Sequence, residues 1–247
     1  MASQESSSTP SDEEMYAKAS TLFAKISTRF LSKTLGEERW YLPTLAALSY
    51  VEPEHATYLY KYLILQPAYA TSLARQELVR RLREVLLEMT SLIGVVKTLE
   101  SVFSIAAVER EEDRDYSFSR ENWTNDAASR ARGETWLKTI YKHNLGTSIG
   151  PLAAHRDFDK ISKEITYGLY LSDMSILNEI ETELVVLSGI LIQNLPREST
   201  WHLRGLRRVG ASMEDVEIVQ QCVEMVADYA GVKLDRLPRV QDIEHEV

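Results

Sequence analysis

Glu183 has the residue type and the surroundings of an acid or base. If its segment is helical, the same face carries Ile180, Val186 and Leu187, so the carboxyl group projects from an apolar stripe. Ionising a carboxyl group in such a place is costly, and the residue therefore needs a partner or a chemical purpose. We predict a functional group here. The alternative is a structural hydrogen bond to a helix N-terminus or to a buried arginine, and both remain open.

Glu198 and His202 add a second carboxylate and an imidazole to this segment. They stand at positions i and i+4 and share a helical face, where a carboxylate would orient the imidazole and raise its pKa. A short connection makes the two helices neighbours, so Glu183 can reach His202, and Gly205 leaves room for a close backbone or a ligand. We predict proton transfer by Glu183, His202 and Glu198. The alternative is a histidine that is satisfied within the core.

Basic side chains crowd the same stretch of sequence. A guanidinium group can pair with a carboxylate through two parallel hydrogen bonds, which suits an anionic substrate. We predict that Arg204 and Trp201 contact the substrate. For most of the arginines here, a solvated helix face is the simpler interpretation; they are Arg197, Arg204, Arg207 and Arg208.

No other stretch has the spacing of a known catalytic or metal site. His143 and His155 lie near a glycine-containing turn at 146–151, without the His-x3-His spacing of metal ligands. The same turn lacks the lysine and the preceding strand of a phosphate loop. We therefore expect neither a metal ion nor a cofactor.

Apolar residues recur at helical spacing along the whole chain, and no convincing alternating strand is present. The pattern predicts an all-α fold. We divide the chain into a disordered tail at 1–14, an N-terminal helical region at 15–110, a charged and polar connection at 111–132 that is exposed and contains a mobile loop, a helical core at 133–233, and a C-terminal tail at 234–247. The predicted helices are 16–35, 40–50, 53–67, 72–90, 95–108, 134–143, 158–170, 176–193, 198–209 and 213–230.

Composition narrows the classes of partner and location. Of the 247 residues, 44% are hydrophobic and 26% are charged, as in globular proteins, and the net charge of −9 disfavours nucleic acid as a partner. No apolar run is long enough to cross a membrane, and the first 15 residues lack the features of a secretory signal. We expect a cytoplasmic protein, with a mitochondrial or peroxisomal location left open. The single cysteine, Cys222, cannot form an internal disulfide.

Several of these segments, taken in order, resemble the carboxymuconolactone decarboxylase and alkyl hydroperoxidase D (AhpD) superfamily. The similarity rests on the Glu-Leu-Val run at 183–185, the His-x7-Gly element at 202–210, the acidic helix start at 214–215 and the Tyr-Ala-Gly helix end at 229–231. It extends over about 134–235 and is faint over 73–105. That fainter part looks like a decayed copy of the same hairpin.

The resemblance implies an AhpD-like helical bundle with a degenerate two-repeat arrangement, assembled as a trimer or hexamer. In the hydroperoxidase branch, a Glu, a Cys-x-x-Cys pair and a His relay protons. Glu183 and His202 take the Glu and His places, but Leu195 and Glu198 stand where that branch has cysteines. Neither side chain can form a sulfenic acid or a disulfide, so we expect no thiol peroxidase activity.

The decarboxylase branch needs no dithiol and handles a lactone carboxylate by acid–base chemistry. The expected function is therefore that of a cofactor-free lyase or isomerase acting on a small acidic or lactone metabolite. A non-catalytic oligomeric protein that keeps the fold as a binding or packing site is the alternative. Contact between Glu183 and His202 in a solvent-connected cavity would favour catalysis, whereas a dry interior would favour the alternative.

Overall fold

The computed structural model describes residues 11–31 and 34–247, and in these residues every regular element is helical, as the sequence predicts. None of their helices combines the length and the apolar character needed to cross a lipid bilayer. The helices are α1 (Asp12–Arg29), α2 (Tyr41–Val51), α3 (Ala56–Leu63), α4 (Ser72–Ile93), α5 (Val95–Ala106), α6 (Ala127–Tyr141), α7 (Leu145–Ile149), α8 (Arg156–Lys160), a π-helix (Ile161–Tyr170), α9 (Glu179–Leu191), α10 (Pro196–Arg208), α11 (Met213–Ala230) and α12 (Val240–Ile243).

The first helix begins inside the segment predicted to be a disordered tail. The Ser11 hydroxyl accepts a hydrogen bond from the Glu14 backbone N–H at 3.2 Å, and the Glu14 carboxylate accepts one from the Ser11 N–H at 2.8 Å. This reciprocal pair satisfies two N–H groups that a helix start otherwise leaves unbonded. The prediction of a tail is therefore wrong for residues 11–14, and its remainder at 1–10 lies outside the described residues.

Helix α9 is the centre of the molecule. Every residue from Glu181 to Leu191 is buried, since α2, α4, α10 and α11 pack around it. One continuous cluster joins Phe23 and Leu82 of the N-terminal region to Leu184 and Val219 of the predicted core. The two predicted regions thus share one hydrophobic core, and α9 is apolar on most sides because it is covered on most sides.

A second, smaller cluster lies on the other face of α9. It is formed by α6, the π-helix and two α9 residues, Val186 and Ile190. The backbones of α6 and the π-helix approach closely at Gly133, where a Cβ atom would lie 2.7 Å from the Gly168 Cα atom. This close crossing brings Tyr167 of the π-helix next to Tyr141 of α6.

The connection predicted at 111–132 is shorter than the sequence suggests, and a few of its residues are buried. Helix α6 already starts at Ala127, because the Asp126 carboxylate accepts the N–H groups of Ala128 and Ser129, both at 2.9 Å. The preceding residues, 111–126, form a strap along α4. Asp113 of the strap is fully buried and pairs with Arg75 at 2.7 Å.

Three more ion pairs hold the strap against α4. Asp115 lies between Arg80 and Arg83, with N–O distances of 3.2 and 2.6 Å, and Arg120 pairs with Glu84 inside the structure. Most residues of the strap are exposed, as the sequence predicts, but Asp113 and Arg120 are buried, which the sequence did not predict. Alternating charges in a sequence are typical of a solvated surface, but here their partners are on α4.

Candidate functional site

The two helices that carry Glu183 and His202 are joined by four residues, 192–195. Asn194 in this connection has a φ of 56°, a left-handed conformation that asparagine adopts more readily than most residues. The tight turn lets α10 fold back against α9. The predicted neighbourhood of the two helices is therefore present.

Glu183 and His202 contact each other directly. The His202 Nδ1 atom lies 2.6 Å from Glu183 Oε1; the glutamate is 0% exposed and the histidine 4%. Burial raises the pKa of Glu183, while the charge of His202 and the hydrogen bond from it act in the opposite direction. The second oxygen, Oε2, has no hydrogen-bond partner in the part of the chain that the structure describes. The arrangement is a carboxyl–imidazole pair, with Nε2 of the ring free to exchange a proton on its other side.

Gly205 determines how closely this pair fits. A Cβ atom at this position would overlap Glu183 Oε1 and would lie 2.8 Å from Ile140 Cγ2. The space that the sequence assigned to a ligand or a backbone is thus filled by the Glu183 carboxyl group.

Two tyrosines extend the pair into a hydrogen-bonded chain. The Tyr167 hydroxyl lies 3.4 Å from His202 Nε2 and 3.0 Å from the Tyr141 hydroxyl. Burial is the largest cause that raises the pKa of both phenols, so both stay protonated. The Tyr141 ring also meets the Trp201 ring edge-on, at 5.8 Å between centroids.

The sequence did not predict Tyr141 and Tyr167 as part of the site, although their hydroxyl groups continue the hydrogen-bonded chain from His202. They are separated from His202 by 61 and 35 positions and sit at no motif spacing. No local signal in the sequence marks them.

Glu198 and Trp201 lie at the edge of the site. Within the described residues, the hydrogen bonds of the His202 ring go to Glu183 and Tyr167, so the predicted orientation of the imidazole by Glu198 is wrong. The Glu183 carboxyl group, which is more deeply buried than that of Glu198, is already bonded to Nδ1. Glu198 is half-buried, and its negative charge raises the pKa of Tyr141, after burial and alongside Glu183.

Three of the four arginines of α10 pack against protein: Arg204, Arg207 and Arg208. Arg204 is 5% exposed and pairs with Glu246. Arg207 binds Glu244 through two nitrogens, at 2.9 and 2.5 Å. The segment 240–246 therefore covers this side of α10, and a solvated helix face does not describe these two side chains. Arg197 is exposed.

A further carboxyl group lies beside the site on the N-terminal side of the core. Glu88 of α4 is fully buried, and one of its oxygens accepts a hydrogen bond from the Thr182 hydroxyl at 2.8 Å. Burial, and then the charge of Glu84, raises the pKa of Glu88 well above its usual range. The sequence placed this residue only in the faint internal repeat.

The pair is closed off from solvent. Glu183 is 0% and His202 4% exposed, and neither lines any of five prominent surface cavities in the described part of the chain. The two side chains thus meet, as the catalytic interpretation requires, but they are buried, as the alternative predicts. Residues 11–31 and 34–247 also contain no group of three or more His, Cys, Asp or Glu side chains arranged to hold a metal ion.

The cysteine lies away from this chemistry. Cys222 on α11 is 1% exposed, and burial raises the pKa of its thiol to about 12. A thiol with so high a pKa is a poor nucleophile at neutral pH.

Comparison of the chain with protein-family models, with curated proteins and with solved structures gave no match.

Proposed function

We propose that Glu183 and His202 form the proton-transfer centre of a cofactor-free lyase or isomerase acting on a small acidic or lactone metabolite, as the resemblance to carboxymuconolactone decarboxylase-like proteins suggests. The observation that carries the proposal is the 2.6 Å contact between two buried titratable groups. A pair of this kind is a common arrangement for general acid–base catalysis.

Two hydroxyl groups extend this pair as far as Tyr141, whose side chain is also buried. When His202 Nε2 takes up a proton, the negative carboxylate of Glu183 at Nδ1 stabilises the imidazolium. Tyr167 donates that proton through its hydroxyl and accepts another from Tyr141. Tyr141 is then the group that receives a proton from the substrate. One proton enters the chain at Tyr141 and one reaches His202, so the balance is kept.

Thiol peroxidase activity is not part of the proposal. That reaction needs an accessible thiolate and a second thiol, and the chain has only Cys222, whose thiol is buried. Leu195 and Glu198 occupy the two places where the resemblance would put cysteines.

The alternative is a non-catalytic oligomeric protein in which the pair serves packing or binding. Its support is the burial of Glu183, which is 0% exposed, and the absence of both residues from the cavities described above. In that case, the pair stabilises the contact between α9 and α10. A trimer or hexamer is expected under either proposal, and light scattering coupled to size-exclusion chromatography would measure it.

A thermal-shift screen of small carboxylates and lactones tests the leading proposal. We expect a ligand that raises the melting temperature of the wild type but not that of His202→Ala. Leu203→Ala is the matched control, because Leu203 is equally buried on the same helix and does not contact Glu183 through a hydrogen bond. It should lose stability but keep the ligand response.

Turnover then separates the two candidates. Incubation of the ligand with the wild type, followed by NMR, should show conversion that His202→Ala lacks. Binding without conversion would support the binding protein instead. If no ligand distinguishes wild type from His202→Ala, the site proposal fails.

A further inference from the structure

Two guanidinium groups lie one turn apart on α10, on the side that faces Tyr141. Arg204 is 5% exposed and Arg208 is half-buried. The Nε donors of both residues are buried and have no hydrogen-bond partner among the described residues. A buried N–H group without an acceptor is unfavourable, and two of them on neighbouring cations are an unusual feature for a protein interior.

Positive charge exceeds negative charge at this place. Arg208 donates to four neutral oxygens, those of Ile140, Tyr141, Asn144 and the Glu246 backbone, at 2.5–2.8 Å. Burial lowers the pKa of Arg208, and the nearby charge of Arg204 lowers it further. The one carboxylate that pairs with either guanidinium in the described chain is that of Glu246.

Glu246 reaches this pair from the surface. Its side chain is 37% exposed, whereas that of Arg204 is 6% exposed. The Glu246 backbone carbonyl also accepts a hydrogen bond from Arg208 at 2.7 Å. The anion is therefore attached to an outer segment, while the cations belong to the core helix, so that the anion can leave while the cations stay.

We infer that Arg204 and Arg208 form a binding site for a small carboxylate, and that the Glu246 side chain occupies this site until such a ligand displaces it. A ligand carboxylate would replace the Glu246 oxygen on Arg204 and give the unbonded Nε donors an acceptor. Carboxylate geometry suits a guanidinium because two parallel hydrogen bonds can form.

The site is adjacent to the proposed proton-transfer chain. Arg208 bonds to the backbone oxygen of Tyr141, and the charge of Arg204 lowers the pKa of the Tyr141 phenol against the effect of burial. Tyr141 thus separates the arginines from Tyr167 and His202. This step alone rests on the proposed function: if that function holds, the carboxylate site binds the acidic group of the substrate, and the rest of the substrate points toward Tyr141.

The test measures benzoate binding to the full chain by isothermal titration calorimetry. Glu246→Gln removes the competing charge and keeps the side-chain size, so its affinity for benzoate should rise about tenfold over the wild type, since a tethered competitor acts at high effective concentration. Glu244→Gln is the matched control: Glu244 lies in the same segment but pairs with Arg207, and its affinity should equal that of the wild type. Benzamide, which has the same shape and no charge, should bind to none of the three.

Stability provides a second measurement that does not depend on the benzoate affinity of the wild type. Glu246→Gln leaves Arg204 without its carboxylate and should melt at a lower temperature than the wild type. Saturating benzoate should raise the melting temperature of the variant back to that of the wild type. Arg204→Leu should abolish benzoate binding in the Glu246→Gln background. Equal benzoate affinity in Glu246→Gln and Glu244→Gln, or equal binding of benzamide, would overturn the inference. If Glu246→Gln binds benzoate more tightly but no ligand distinguishes the wild type from His202→Ala, the carboxylate site stands and the catalytic proposal fails; loss of turnover in His202→Ala with unchanged benzoate affinity in Glu246→Gln would show the reverse.

Discussion

Replacement of Gly205 by alanine tests the arrangement of the site most directly. The added Cβ atom would overlap Glu183 Oε1, the atom that bonds to His202, and would press on Ile140 Cγ2 at 2.8 Å. Both neighbours are fully buried, so neither can move into solvent. The carboxyl group must therefore retract, and the hydrogen bond to His202 must lengthen or break.

The expected loss in the free energy of unfolding combines two destabilising effects and one stabilising effect. Overpacking a well-filled interior costs about 1–3 kcal/mol. Loss of a hydrogen bond to a charged group costs about 1.5–3 kcal/mol. Alanine is more favourable than glycine inside a helix by about 1 kcal/mol, which offsets part of the cost. We expect a net loss of about 3 kcal/mol in the free energy of unfolding. For a chain of this size, that loss lowers the melting temperature by about 6–12 °C.

Gly189→Ala is the matched control, because Gly189 is also buried in the interior of a helix. Its added Cβ atom would meet the Sδ and Cε atoms at the end of the Met89 side chain. A methionine end can change rotamer, so the control should lose less than about 1 kcal/mol. Urea denaturation followed by circular dichroism measures both variants.

A double-mutant cycle identifies the cause. In a Glu183→Ala background, the overlap with the carboxyl group is gone, and Gly205→Ala should cost clearly less than in the wild type. The reasoning is refuted if Gly205→Ala is as stable as Gly189→Ala, or if its cost is unchanged when Glu183 is absent.

Three further predictions concern the strap, a buried acid and the thiol. Asp113→Asn leaves Arg75 without its charged partner and should lower the free energy of unfolding, whereas Arg114→Ala, whose pair is exposed, should leave it nearly unchanged; urea denaturation compares them. Burial, the largest cause, raises the pKa of Glu84 to about 6, so the folded state binds this proton more tightly than the unfolded chain. The free energy of unfolding should therefore fall as the pH rises from about 4.5 to about 6, and the wild type should lose up to about 2 kcal/mol relative to Glu84→Gln across that window. Denaturation curves at several pH values measure this, and a difference between the two proteins that does not change with pH would contradict it. Cys222 should react with a thiol reagent only after denaturant is added, and rapid labelling of the native protein would contradict its burial.

Local features of the sequence determined the helices and the position of the central pair. Apolar periodicity predicted α4, α9 and α11, and the last of these matches its predicted range of 213–230. Glu183 and His202 could be predicted to meet because they lie on consecutive helices with a short connection, so that their contact depends only on neighbouring parts of the chain. Helix ends were less accurate: α9 begins at Glu179 rather than at 176, because Asn178 caps it by accepting a hydrogen bond from the Glu181 N–H.

Only the tertiary structure decided which distant groups surround that pair. The Tyr141 and Tyr167 hydroxyls come from separate elements, and the strap is fastened by charges that a sequence shows as solvated. Likewise, Glu198 is one helical turn before His202 on α10, as predicted, but the ring nitrogen Nδ1 is bonded to Glu183 instead. The partner of Arg204 is 42 positions further along the chain. Spacing along one helix predicts which side chains share a face, whereas the packing of whole helices decides which of them meet.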